Sequence, residues 1–98
     1  MKKYKACEWK TSSNVWCVGD TSDLANHSNN WLIPVKILGI TPEEYVKMLV
    51  NTYKADVKFY DSTETSNGRS LLLFTFKEYA AAHKYLLYIN KAARNFNG

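Results

Sequence analysis

Two histidines and two cysteines are the residues of this chain best suited to chemistry. His27 shares a polar loop with Asp20 and Asp23, which together offer an imidazole and two carboxylates for acid–base work or for a metal. The spacing argues against both. Cys7, Cys17, His27 and His83 lack the C-x2–4-C and H-x3–5-H steps of structural zinc sites. No glycine-rich phosphate loop and no nucleophile elbow occurs in the chain. Glu43 and Glu44 are accounted for by a helix cap. The expectation is therefore a protein that is not an enzyme, with no catalytic residue, no metal and no cofactor. Cys7 and Cys17 fall on two candidate strands of one hairpin. A three-residue loop, Thr11 to Ser13, sets them opposite each other; a four-residue loop, Thr11 to Asn14, moves the register by one and does not. In a reducing compartment both stay thiols.

Composition narrows the class further. The 98 residues are 46% hydrophobic and 22% charged, with a formal charge of +4. That apolar share is too high for a disordered chain and suits one domain over 1–98. Apolar runs such as Leu71–Phe74 and Leu86–Ile89 fall far short of the ~20 residues of a membrane helix. Met1 to Glu8 is basic but has no apolar stretch of the signal-peptide kind, so the expected location is cytoplasmic and no membrane partner is expected. Eleven lysines against two arginines, with nine asparagines, point to an AT-rich genome of bacterial or phage type. Residues 1–10 hold four lysines and one glutamate, and residues 77–98 hold three lysines, one arginine and one glutamate, a net +3 at each end. If the two ends adjoin in space they form one basic patch able to contact phosphates. Charged ends also simply keep a small protein soluble.

The elements that must position these groups follow from pattern. Tyr4 to Lys10 and Val15 to Val18 read as strands around a Thr-Ser-Ser-Asn turn. Gly19 to Asn30 reads as a loop. Trp31 to Leu38 reads as a strand, with Pro34 at an edge or bulge because it has no N–H to donate. Thr41-Pro42-Glu43-Glu44 is a capping box with proline at the first helical position. The helix it opens runs to about Lys54, with Tyr45, Val46, Leu49, Val50 and Tyr53 on one face. Val57 to Thr63 and Arg69 to Phe76 form a hairpin around Asn67-Gly68, whose type I′ turn pairs Tyr60 with Thr75 and Phe59 with Phe76. One face then carries Val57, Phe59, Leu72, Phe74 and Phe76, the core candidates. The other carries Lys58, Tyr60, Leu71, Leu73 and Thr75. A last helix, Glu78 to about Asn95, shows an apolar stripe of Tyr79, Ala82, Leu86, Ile89, Ala93 and Phe96. His83, Lys84, Leu87, Lys91 and Arg94 lie off that stripe.

From Trp31 the order is strand, helix, strand, strand, helix. Val35-Lys36-Ile37-Leu38-Gly39-Ile40 and Arg69-Ser70-Leu71-Leu72-Leu73-Phe74-Thr75-Phe76 fall where the RNA-recognition motif has its first strand and its octamer. Over residues 31–96 the chain resembles that family, which implies a ferredoxin-like fold. It departs where the family stacks bases on aromatic rings. Those positions are Lys36, Leu71 and Leu73 here, and neither lysine nor leucine offers a π-face.

The sequence reading is thus an α+β domain: an antiparallel β-sheet, built from the N-terminal hairpin plus a ferredoxin-like β-α-β-β-α order, with two helices packed on one face. Val15–Val18 is expected beside Trp31–Leu38. The expected role is non-catalytic binding to a protein partner through Leu71, Leu73 and Tyr60, flanked by Lys58 and Lys36, since an apolar patch on an open sheet marks an interface. The N-terminal segment, with Trp9 or Trp16, folding over that patch is an equal expectation. A bacterial or phage inhibitor (anti-CRISPR-like) or adaptor of a nucleic-acid-processing complex fits this class by analogy. The alternative is a single-strand RNA or DNA binder using Arg69, Lys84, Lys91 and Arg94.

Overall fold

The computed structural model describes residues 4–20, 29–60 and 71–97. Eight elements occur in it: β1 (Cys7–Lys10), β2 (Trp16–Gly19), β3 (Asn29–Asn30), α1 (Leu32–Leu38), α2 (Pro42–Asn51), β4 (Asp56–Tyr60), β5 (Leu71–Thr75) and α3 (Tyr79–Asn97). The class is α+β with antiparallel pairing, as expected, but with three helices among the described residues where two were expected.

The extra helix is α1, which replaces the strand expected over 31–38. Pro34 sits in its first turn, where an N–H has no intrahelical acceptor and its loss is harmless. Gly39 closes the helix at φ 68°, and the Gly39 and Ile40 N–H groups both donate to the Val35 carbonyl, at 2.9 and 3.3 Å. That is a left-handed closure, which needs a backbone conformation glycine adopts at little cost. Lys36 therefore rides on a helix, and the ferredoxin-like first strand is not formed.

In α2 the capping box is present as read. Glu44 N–H donates to the Thr41 hydroxyl at 3.2 Å, and Thr41 N–H donates to the Glu44 carboxylate at 3.1 Å. The helix ends at Asn51 rather than near Lys54, which itself turns left-handed at φ 59°.

The first hairpin has a five-residue loop, Thr11 to Val15, closed by Thr11 N–H donating to the Val15 carbonyl at 2.8 Å. Neither shorter loop weighed from the sequence is used. Trp9 stands opposite Cys17 and Cys7 opposite Gly19, so the cysteines do not face each other and no disulfide joins them. The hairpin does not lie beside 31–38. Trp16 instead exchanges both backbone hydrogen bonds with Phe76, at 2.8 and 2.7 Å, which joins β2 to the end of β5.

In the second sheet the order is β3-β5-β4. Its register differs from the one expected of the Asn67-Gly68 corner, which lies outside the described residues. Asp56 pairs with Thr75 and Val57 with Phe74; a bulge at Lys58 then sets Phe59 opposite Leu73 and Tyr60 opposite Leu72. Before the bulge the slip is an even number of residues, and an even slip keeps each row on its face. Leu72, Phe74 and Phe76 thus remain the inward row, each no more than 1% exposed. Past the bulge the parity changes, so Tyr60 leaves the register row of Leu71 and Leu73. The two-residue β3 arises inside what reads as a loop, against Leu71 and Leu72.

The core is aromatic. Phe76 stacks on Tyr85 at 6.0 Å between ring centroids, Phe74 meets Tyr85 edge-on at 6.2 Å, and the hydroxyls of Tyr45 and Tyr85 are 2.6 Å apart. Ala82, Tyr85, Ile89 and Ala93 are the buried row of α3. Tyr79 and Phe96, expected in that row, are 46% and 53% exposed. Among the described residues no helix is long and apolar enough to cross a membrane.

Candidate interaction surface

Burial of one face of α3 determines what its other face displays. The buried row advances by three and four residues and uses alanine twice, which lets the helix approach closely. On the opposite side the same spacing aligns Lys84, Leu87, Lys91 and Arg94, all exposed. Leu87 is 58% exposed in the middle of these cations, and Tyr88 beside it is 40% exposed. Tyr88 leans on Tyr53 at 5.7 Å, and Lys84 Nζ lies 5.9 Å from the Tyr53 ring centre. Val50, one turn before Tyr53, is 41% exposed on α2. The structure therefore gathers Lys84, Lys91 and Arg94 on one helix face; Arg69 lies outside the described residues.

The sheet-borne set is dispersed. Lys36 is exposed in the last turn of α1, where a cation complements the helix dipole. Lys58 is exposed and pairs with Asp56 at 2.9 Å, and this contact holds the Asp56 carboxyl below its ordinary value. Leu71 and Tyr60 occupy register positions opposite Asn30 and Leu72. Leu73 is half-buried. It shares with Thr75 a cleft of about 240 Å³, walled by Cys17 and by Thr11, Ser12 and Ser13 of the hairpin loop. The hairpin thus flanks this side of β5 with its loop. Burial pushes the Cys17 thiol up, which keeps it protonated and unreactive.

A third cluster lies where the first hairpin meets α3. The Ala6 N–H donates to Asn90 Oδ1 at 2.8 Å, and Asn90 Nδ2 donates back to the Ala6 carbonyl at 3.0 Å. Glu8 Oε2 lies 3.5 Å from His83 Nδ1. Tyr79 stacks on His83 at 5.4 Å, and Trp16 meets Tyr79 edge-on at 4.8 Å. A hydrogen bond to Glu8, followed by desolvation, raises the Tyr79 phenol above its usual value. Sequence reasoning placed Tyr79 in the core stripe and missed this cluster. The available signal was aromatic Tyr79 four residues before His83, the spacing at which helical side chains meet.

Of the loop carboxylates and imidazole, Asp23 and His27 lie outside the described residues. Among those described, no group of three His, Cys, Asp or Glu side chains is placed to hold a metal ion. Comparison with protein-family models, with curated proteins and with solved structures returns no match.

Proposed function

We propose that this chain is a small non-catalytic binding protein that docks on a partner protein through the outer face of α3. The observation that carries this reading is Leu87, 58% exposed and ringed by Lys84, Lys91 and Arg94. A large apolar side chain held in water on a rigid helix is the anchor type found at interface centres, and the cations supply the polar rim. The partner is an acidic surface with an apolar pocket. A second copy of this chain fits poorly, because the same cations would face each other. The 19 residues of α3 span about 28 Å, enough for a standard docking footprint. By analogy of size and composition, the protein acts in the cytoplasm as a bacterial or phage accessory factor, an inhibitor (anti-CRISPR-like) or adaptor of a nucleic-acid-processing complex.

The test is nuclease-treated affinity capture from bacterial lysate, followed by titration of the captured protein against wild type, Leu87→Asp, Lys91→Glu and Leu73→Asp. Leu87→Asp is expected to weaken binding at least about tenfold, with folding unchanged by circular dichroism. Lys91→Glu is expected to weaken it mainly through a slower, salt-sensitive association. Full binding by Leu87→Asp, or loss confined to Leu73→Asp, removes the α3 assignment; the second result returns the interface to the sheet cleft.

A further inference from the structure

Ala6 and β1 adjoin α3. The paired hydrogen bonds between Ala6 and Asn90 and the Glu8–His83 contact lay the N-terminal segment along α3. Along that seam stand three aromatic rings in contact, Trp16, Tyr79 and His83. Tyr79 is 46% exposed and the His83 side chain 43% exposed, whereas Glu8 is mostly buried, with Oε2 withdrawn from solvent. Lys10 Nζ lies 6.0 Å from the Trp16 ring centre, and Lys77, two residues before Tyr79 in the chain, is exposed.

We propose that this seam is a stacking ledge for single-stranded nucleic acid, with Tyr79 and His83 as the base platform and Lys10 as a phosphate contact. Exposed rings bind any base through its π-face, and lysines attract the backbone without reading sequence. A duplex keeps its bases stacked on one another, so the ledge favours single strands. The site is separate from the Leu87 face and does not depend on it. It also differs from the sheet-face stacking of the RNA-recognition motif, whose positions here are aliphatic or charged.

Fluorescence anisotropy of a labelled oligothymidylate at low salt tests this in the full chain. Binding is expected, weakening as salt rises, and stronger than to a duplex of the same length. Tyr79→Ala should lower affinity roughly 5- to 150-fold, one base stack's worth, while Tyr79→Phe retains it. Leu87→Asp should leave it unchanged. No anisotropy change at low salt overturns the proposal. So does equal affinity of Tyr79→Ala, with loss seen only in Lys10→Glu, because that is charge without stacking. Competition by polyglutamate as effective as by oligothymidylate assigns the seam to acidic protein and overturns it as well.

Discussion

Tyr85 shows how much one residue carries. Its ring touches Phe74, Phe76 and Tyr53, and its hydroxyl pairs with that of Tyr45 in a site 1% exposed. Burial, more than any neighbouring charge, pushes its phenol well above the ordinary value, and burial also raises Tyr53. A tyrosine whose folded pKa is raised stabilises the fold below its unfolded pKa, near 10, and loses that contribution as pH climbs further. Above that pH the unfolded chain sheds protons the folded chain retains, so stability falls. Urea midpoints measured from pH 7 to 10.5 should decline at the alkaline end, and the decline should be shallower in Tyr85→Phe. At pH 7 the same variant should lose about 1 kcal/mol, the net worth of a buried hydrogen bond. Parallel pH profiles for the two proteins would contradict this account. Tyr85 was not legible as core, because the stripe drawn through Leu86 fits the same periodicity almost as well. Leu86 is in fact half-buried at its border.

At the scale of elements, α1 is the instructive case. Seven apolar-rich residues with a proline satisfy strand and helix alike, and length cannot separate the two when the run is short. What tips the balance is the closure after it. Gly39 has open space around its α-carbon, so no atom blocks a methyl group there. Its cost on substitution is therefore backbone strain alone. Gly39→Ala should destabilise by about 1–2 kcal/mol, read from thermal or urea unfolding, because a non-glycine residue at positive φ pays roughly that amount. A neutral or stabilising result would mean that the turn does not need its left-handed residue. The α2 cap, by contrast, was legible to the residue, since Thr41 and Glu44 satisfy each other within four positions and need nothing from the rest of the molecule.

For the whole molecule, the decisive contact joins residues 84 positions apart. Asn90 offers Ala6 both an acceptor and a donor, as a neighbouring strand would, and so seats the N-terminal segment on α3. Asn90→Ala should lower stability by about 1–3 kcal/mol and increase amide exchange in β1 before β4 and β5. Uniform exchange across all strands would show that the hairpin and the second sheet open as one unit. The same seating creates the aromatic seam, so the variant should also lower oligothymidylate affinity while leaving the Leu87 face intact.

By itself the amino-acid order determined the α+β class, the capped helix α2, the inward row Leu72, Phe74 and Phe76, and the alignment of Lys84, Leu87, Lys91 and Arg94. Each rests on local spacing or on the fixed periods of helix and strand. Tertiary packing alone decided the slipped pairing of β4 with β5, the bridge from Trp16 to Phe76 and the meeting of Glu8, Tyr79 and His83. Those depend on which distant surfaces are buried together, and burial free energy is summed over the assembled core, where no local window can see it.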